Sequence, residues 1–325
     1  MHPVSAMKCA PRFLRGILLA SLAFLLAAIA IGSRSSSAIH LGADPLTSTP
    51  GAMYQPNTLA SLPSVVFWAW ERPEDLRFLD ANDAGVAFFA KTIILRAPSN
   101  TSHKDAGGSF FVRPRLQPLR VSPRTPLIAV VRIENPPALS PNAYSSSTIF
   151  SLGTVRDSLS DREAIAAEIA ELQNLSGVRA IQIDYDATLS ERPFYVSLLS
   201  DVRRKLPPTL PLSITALASW CIGDPWLEQL PAGTIQEAVP MLFRMGPDSA
   251  NVAKFLRSGD EFRVAACQGS LGISTDEFVS RNLVTGKLHS VSFSFRSLRQ
   301  KRIYVFSPRA WTPFAAQAVL KEWQP

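Results

Sequence analysis

The fold of this 325-residue chain is indicated most clearly by the stretch Val178-Arg-Ala-Ile-Gln-Ile-Asp-Tyr-Asp-Ala-Thr188. Side chains alternate along a strand, so Gln182, Asp184 and Asp186 share one face while the apolar isoleucines and the tyrosine occupy the other. The apolar face would pack against surrounding helices, and the polar face would then point inward. A strand of this kind is typical of a barrel whose interior accepts polar groups near its catalytic end.

Seven other apolar, β-rich runs have a similar size. With the first stretch, the predicted strands are 64–70, 85–95, 126–134, 178–184, 211–216, 235–243, 261–266 and 302–306. Helical segments with start signals follow several of them, opening at Ser160 and Ser190 and covering 248–257. Alternating strands and helices predict an α/β fold, and eight such units predict a (β/α)8 TIM barrel over residues 63–325. Residues 92–121 fit no such unit and predict a hairpin-like excursion after the second strand.

The first 38 residues have the features of an export segment. The apolar run 16–32 follows Lys8, Arg12 and Arg15 and precedes a short Ser-rich string. This pattern predicts either a signal peptide or an uncleaved N-terminal membrane anchor, and both alternatives stay open. In either case we expect an exported protein, free in the periplasm or anchored to the inner membrane and facing the periplasm. Residues 39–62 are rich in Pro, Ser and Thr and predict a linker.

Composition excludes disorder as the main state, since 46% of residues are hydrophobic and 18% are charged. The formal charge of +7 is concentrated in the leader, where residues 1–38 hold four bases and no acid. Removing those four from 33 leaves 29 bases against 26 acids. No basic stripe with interleaved aromatic residues occurs later, so we expect no nucleic-acid partner.

Two cysteines follow the leader, Cys221 and Cys267. Thiols outside the cytosol tend to oxidise, so these two residues could form one disulfide. Both end apolar runs, however, where a small buried thiol is the simpler alternative. The sequence leaves the two alternatives open.

Asp186 falls at the carboxyl end of the fourth predicted strand, where barrel enzymes place their active sites. Asp184 lies two positions earlier on the same face, so repulsion between the carboxylates and partial burial favour a retained proton. A protonated carboxyl group is a general acid. Asp184 would either set the pKa of Asp186 or pair with a base such as Arg132. At other strand ends, Glu71 and Glu134 are candidates for a second carboxylate, acting as base or nucleophile.

Aromatic and polar residues at strand ends indicate a carbohydrate ligand, because indole faces stack on the apolar faces of sugar rings. The candidate substrate-binding residues are Trp68, Trp70, Gln182, Trp220, Phe243, Arg244 and Trp311. The four histidines lie away from predicted strand ends, and the chain has no phosphate-binding glycine loop and no CxxC motif. We therefore expect neither a metal nor a cofactor, and a carboxylate-based hydrolase is the natural enzyme class.

Several segments resemble a bacterial family of unknown function, domain of unknown function 3142. They are VVFWAWERPEDLRFL (65–79), GVAFFAKTIILR (85–96), AVVRIE (129–134), IQIDYDATLSERPFYVSLLSDVRRKLP (181–207), LSITALASWCIGDPWL (212–227) and EAVPMLFRMG (237–246). That family has no established activity to carry over.

The chain also resembles, more distantly, the chitinase-like barrels of glycoside hydrolase family 18. Gln182, Asp184 and Asp186 match an alternating Asp-x-Asp-x-Glu whose last residue is the acid, and residues 241–244 match a Met-x-Tyr-Asp motif. Trp311 would correspond to a tryptophan that closes the sugar site.

Three of this chain's departures from the family-18 pattern bear on the chemistry. Asp186 is one methylene shorter than Glu, while Phe243 and Arg244 lack the hydroxyl and carboxylate groups of the family motif. These departures argue against chemistry assisted by the substrate's own acetamido group.

These patterns predict an exported, glycosidase-like barrel that hydrolyses or binds an envelope polysaccharide or oligosaccharide, with Asp186 as general acid. One alternative is a non-catalytic carbohydrate-binding barrel. Another is a membrane-anchored envelope interaction protein, held through residues 16–32, that uses the arginine-rich hairpin around Arg113, Arg115 and Arg120.

Overall fold

A computed structural model of the chain describes residues 58–96, 110–135, 158–277 and 301–323. In chain order its strands are β1 (Val65–Ala69), β2 (Glu74–Asp75), β3 (Ala84–Leu95), β4 (Phe110–Pro114), β5 (Leu119–Arg120), β6 (Leu127–Glu134), β7 (Val178–Asp184), β8 (Leu212–Leu217), β9 (Glu237–Met241), β10 (Ser270–Ser274) and β11 (Arg302–Phe306). β1, β3 and β6 to β11 are parallel and pair in sequence order, and β11 returns to pair with β1. The predicted (β/α)8 barrel is confirmed.

The described helices pack outside the barrel. They are α1 (Leu159–Ala170), α2 (Arg192–Lys205), α3 (Ala218–Ile222), α4 (Ser249–Ser258) and α5 (Pro313–Trp323). α1 starts earlier than predicted because Ser158, not Ser160, caps it: the Ser158 hydroxyl accepts a hydrogen bond from the Asp161 N–H at 3.1 Å. A partly buried ion pair at 2.5 Å between Arg162 and Asp201 joins α1 to α2.

The predicted seventh strand, residues 261–266, is wrong. The barrel strand is β10, and Ala265–Cys267 forms a short 3-10 helix instead. Phe262 and Val264 alternate like a strand, but they bury their side chains outside the barrel interior. Gly272 in β10 leaves the space that the Trp68 ring occupies, because a Cβ atom at residue 272 would lie only 3.0 Å from that ring.

The excursion predicted at 92–121 is present as an antiparallel pairing of β4 with β3, and β5 pairs with β2. The Arg115 guanidinium donates to the carbonyl oxygens of Trp70 and, at 2.6 Å, Arg72. Arg113 pairs with Glu71 at 3.3 Å. Both arginines therefore hold the chain that follows β1, the segment that carries Trp70.

The barrel interior contains a continuous chain of buried hydrogen bonds. Trp68 Nε1 donates to Gln182 Oε1 at 2.9 Å, and Gln182 Nε2 donates to the Ser213 hydroxyl at 3.2 Å. Ser213 donates to Glu237 at 3.1 Å, and Glu237 also pairs with Arg302 at 2.8 Å. The polar face of β7 thus points inward as predicted. Gln182 is fully buried and forms its hydrogen bonds within the barrel interior.

The N-terminal end of the barrel is closed by residues just before β1. Thr58–Ser61 form a 3-10 turn, and Leu59 and Leu62 pack beneath the interior aromatic residues. Arg302 donates to the carbonyl oxygens of Leu59 and Pro63, which fixes this segment. The last residues of the predicted linker are therefore part of the folded barrel.

Cys221 and Cys267 form a disulfide, with their Cα atoms 5.9 Å apart. It joins α3 to the turn before β10, and both cysteines are fully buried. The structure therefore shows a disulfide rather than two buried free thiols.

The predicted leader, residues 1–38, lies outside the described residues. Across the described ranges, no helix combines the length and the apolar character needed to cross a bilayer.

We predict that Glu237→Ala lowers the free energy of unfolding by about 3–5 kcal/mol, because it removes a buried carboxylate and leaves the Arg302 guanidinium, which is largely shielded from water, without its charge partner. Urea denaturation measures the change. Asp75→Ala is the matched control, since Asp75 forms an exposed ion pair with Arg77, and its stability should stay close to that of the wild type. Equal effects of the two substitutions would contradict the structural role of the interior pair.

Candidate functional site

A cavity of about 300 Å³ opens at the carboxyl ends of the barrel strands. Side chains from several strand ends and from the start of α3 and α4 form its wall. They are Trp68, Trp70, Arg132, Asp184, Asp186, Thr215, Leu217, Ala218, Ser219, Met241, Phe243, Arg244, Met245, Asp248, Val252 and Phe306. This is the end of the barrel at which such folds carry their active sites.

Two aspartates from the end of β7 lie in the wall of this cavity. Asp184 is the last strand residue and accepts a hydrogen bond from the Thr215 hydroxyl at 2.7 Å. Burial raises the pKa of Asp184 to about 6, against the opposing effect of that hydrogen bond. The carboxylates of Asp186 and Glu134 raise this pKa further.

Asp186 lies nearer the solvent, two residues beyond Asp184. Loss of surrounding water at the cavity wall raises the pKa of Asp186 above its ordinary value. The two carboxyl groups therefore both favour their protonated forms more than free aspartate does. This is the electrostatic condition for a general acid.

Arg132 is the cation closest in register to this pair. It lies opposite Asp184 in the β6–β7 ladder, and its Nε atom pairs with Glu134 at 3.2 Å. Its guanidinium carbon lies 6.0 Å from the centre of the Trp70 ring. The charge of Arg132 lowers the pKa of both Asp184 and Asp186, so it partly offsets the effect of burial.

Aromatic side chains form the apolar part of the wall. Phe243 and Phe306 stack with their ring centres 5.6 Å apart and their planes 2° from parallel. The Trp70 ring meets Phe306 edge to face at 6.5 Å, while Trp68 lies deeper and is 3% exposed. The cavity thus combines a broad aromatic surface with two carboxyl groups.

Arg244 follows β9 in a strained conformation, with φ at 55°. Its backbone N–H and its guanidinium both donate to Glu277, at 3.0 and 2.9 Å, and the guanidinium also donates to Asp276 at 2.8 Å. These bonds hold Arg244 against the segment after β10, so its charge is balanced by two carboxylates.

The structure brings six of the predicted residues together in one cavity wall. They are Trp68, Trp70, Asp184, Asp186, Phe243 and Arg244. Gln182 lies beneath the cavity, bonded to Trp68. Glu134 lines an adjacent cavity, whereas Glu71 lines neither cavity and pairs with Arg113.

Two predicted tryptophans lie away from the cavity wall. Trp220 is 2% exposed and packs edge to face on Trp226 at 4.9 Å. Trp311 is 5% exposed, and its Nε1 atom donates to the Trp68 carbonyl oxygen at 3.0 Å. The expected stacking of these two indoles on a sugar is therefore corrected: both are packing residues, and Trp311 supports Trp68 from behind.

Sequence reasoning did not single out Thr215, Ser219, Asp248 and Phe306 as wall residues. Phe306 ends β11 and Thr215 lies near the end of β8, so the rule that selected Asp184 also applied to them. Asp248 and Ser219 lie beyond strand ends, on segments whose path the sequence pattern does not define.

In the described part of the chain, no group of three or more His, Cys, Asp or Glu residues is placed to hold a metal ion.

A family model, Domain of unknown function (DUF3142), matches residues 153–238. This match confirms the predicted resemblance over a segment that includes β7 and both cavity aspartates. Among curated proteins, none matches the sequence. Among solved structures, the chain is similar to the crystal structure of an endo-beta-N-acetylglucosaminidase from Cordyceps militaris in apo form. The identity is 11% and the TM-score 0.42, and the alignment covers 80% of this chain and 90% of that chain.

We predict that Arg132→Gln raises the pKa of Asp184 and of Asp186, because a neutral side chain no longer favours their charged forms. Carbon-detected NMR titration of the aspartate carboxyl groups measures both values. Arg244→Gln is the control, since Asp276 and Glu277 balance the charge of Arg244. This substitution should leave the pKa values of Asp184 and Asp186 unchanged. An unchanged titration in Arg132→Gln would show that the guanidinium does not act on the pair.

Proposed function

We propose that this protein is an exported glycosidase-like barrel that hydrolyses an envelope polysaccharide, with Asp186 as its general acid. The observation that carries the proposal is the placement of two aspartates in the wall of an aromatic-lined cavity at the carboxyl end of the barrel. Glycoside hydrolysis uses acidic side chains at the scissile bond, and aromatic surfaces are suited to the apolar faces of sugar rings.

Asp186 is assigned the acid role because it is the more accessible of the two carboxyl groups and its pKa is raised. A general acid works best when its pKa is close to the operating pH, so a raised value increases the protonated fraction. In the proposed reaction Asp186 gives its proton to the glycosidic oxygen as the bond to the anomeric carbon breaks. Water then supplies the hydroxyl group of the new reducing end, and the proton that this water loses returns to the Asp186 carboxylate.

Asp184 is assigned the supporting role. It lines the same cavity as Asp186, and the Thr215 hydrogen bond fixes its carboxyl group. Its charged form would stabilise positive charge on the sugar as the bond breaks. Glu134 is less suited to act as base or nucleophile because Arg132 pairs with it, and Glu71 lies outside the cavity wall.

Export is part of the proposal, with the protein either free in the periplasm or held at the inner membrane. The Cys221–Cys267 disulfide supports an oxidising compartment, since structural disulfides are rare in the cytosol. The basic and apolar pattern of residues 1–38 supports the same destination.

We predict that Asp186→Asn lowers kcat about 100-fold or more on whichever polysaccharide the wild-type protein cleaves, because the amide cannot supply the proton. A panel of envelope and plant glycans, assayed for new reducing ends, identifies the substrate and measures the loss. Asp186→Glu should recover part of the activity, since it restores the acid on a longer arm. Asp80→Asn, at an exposed turn remote from the cavity, is the control for expression and folding. Equal cleavage by Asp186→Asn and wild type would exclude the assignment.

A non-catalytic carbohydrate-binding barrel is the second candidate, and Arg244 favours it. At this position after β9 the wall carries a guanidinium balanced by Asp276 and Glu277, and so offers no further catalytic carboxylate. The same panel separates the candidates: this version predicts oligosaccharide binding that survives Asp186→Asn, without cleavage by either protein.

We predict that the exported protein has no free thiol at Cys221 or Cys267, and that the double Cys→Ser variant loses about 2–4 kcal/mol of stability. Maleimide labelling with mass spectrometry, before and after reduction, measures the first, and urea denaturation measures the second. Quantitative labelling of both cysteines in native, unreduced protein would contradict the bridge and remove its support for export.

A further inference from the structure

A second cavity of about 320 Å³ adjoins the first. The two share three wall residues, Arg132, Asp184 and Asp186. The aspartate pair therefore lies at the boundary between the cavities, with space for a ligand on both sides.

The second cavity has a polar wall, unlike the first. It continues from the end of β6 through Glu134 and Asn135, and from the end of β7 to Thr188 and Glu191. The Glu191 carboxylate accepts bonds from the Thr188 N–H at 2.7 Å, the Thr188 hydroxyl at 2.8 Å and the Asn135 amide. These bonds fix the rim of the cavity in one arrangement. Burial opposes ionisation of Glu191, but these bonds prevail and lower its pKa.

The charges around this second cavity are unequal. Among the described residues, four carboxyl groups line it, from Glu134, Asp184, Asp186 and Glu191, against one guanidinium, that of Arg132. Arg132 already pairs with Glu134 through Nε and lies over the Trp70 ring. A ligand anion would therefore face excess negative charge and would compete with Glu134 for the guanidinium.

Tyr185 also belongs to this wall and is 3% exposed. Its hydroxyl lies near the Glu191 carboxylate and, among the described residues, has no hydrogen bond of normal geometry. A buried hydroxyl without such a bond is costly, so the wall retains an unsatisfied polar group beside this cavity.

We propose that the two cavities are adjacent subsites of one cleft that binds at least two consecutive sugar rings. The aromatic subsite takes one ring by stacking, and the polar subsite takes a neutral or amino-bearing ring and excludes one that carries a uronate, sulfate or phosphate group. The inference rests on the proposed function in one respect, that the ligand is a saccharide. It adds the minimum length of the ligand and its charge class.

The shared wall provides the physical reason for two subsites. A chain that passes over Arg132 and the aspartates places the bond between its two rings beside Asp186. Hydroxyl and amino groups can bond to the carboxylate and amide oxygens of the polar wall. An anionic group meets repulsion there instead, and specificity arises as much from such repulsion as from attraction.

Three series of β-1,4-linked oligosaccharides with one to four rings test the proposal: glucose, glucosamine and glucuronate. They share one backbone and differ in charge. Binding is measured by calorimetry at pH 7 with Asp186→Asn, so that cleavage does not interfere. We expect the affinity for glucose or glucosamine oligomers to rise about 10-fold or more from one ring to two, and glucuronate oligomers to bind at least about 10-fold more weakly than glucose oligomers.

Three further substitutions, made in the same background, test the two subsites and the charge selection. Asn135→Leu keeps the side-chain shape and removes the polar group, so it should weaken binding of two or more rings and leave a single ring unaffected. Phe243→Ala should weaken binding at every length. Glu134→Gln removes one negative charge and should improve glucuronate binding several-fold. Single-ring binding by Asn135→Leu also serves as its folding control.

The outcomes distinguish this inference from the function on which it rests. Failure of all three series to bind counts against the saccharide function itself. Binding without a gain from the second ring, or an Asn135→Leu variant equal to its parent at all lengths, overturns the second subsite. Glucuronate binding as strong as glucose binding overturns the charge selection. In the last two cases the saccharide function stands.

Discussion

The buried hydrogen-bond chain inside the barrel is the constraint on which the site depends. Gln182 lies between Trp68 and Ser213 with no solvent access, so each of its polar groups needs a partner within the interior. Those bonds fix β7 against β1 and β8, and the chain continues through Glu237 to Arg302 at the opposite end. Asp184 and Asp186 follow Gln182 on the same face, so the interior bonds also fix where both carboxyl groups reach the mouth.

At the carboxyl end of the barrel, burial and the charge of Arg132 have opposite effects on the pKa values of Asp184 and Asp186. Burial raises the pKa of both aspartates, and Arg132 opposes that rise from the neighbouring strand. Glu134 forms an ion pair with the Arg132 guanidinium, and its own charge raises the pKa of Asp184. One strand pair, β6 and β7, thus supplies the acidic groups and also sets how readily they hold a proton.

Much of this was predictable from side-chain periodicity, and the failures have physical causes. The alternation around Asp184 identified β7 and its inward face, because a strand repeats every two residues. Residues 261–266 alternate too, yet their apolar side chains are buried outside the interior, and alternation alone does not tell which surface covers them. Trp220 and Trp311 follow strand ends, but their side chains are buried in packing contacts. Position along the chain does not fix which way a side chain points once the strand has ended. Whether Cys221 and Cys267 form a disulfide depends on the distance between them in the fold, and sequence spacing does not contain that distance.

The roles proposed for Asp186, Asp184 and the aromatic residues all require that the cleft beside Asp186 binds a saccharide. A crystal structure of Asp186→Asn with an oligosaccharide from the responsive glycan measures this most directly. We expect one ring on the surface formed by Trp70, Phe243 and Phe306, with the glycosidic oxygen within about 3 Å of the residue 186 side chain. A saccharide bound elsewhere on the barrel, with this cleft empty, would contradict it.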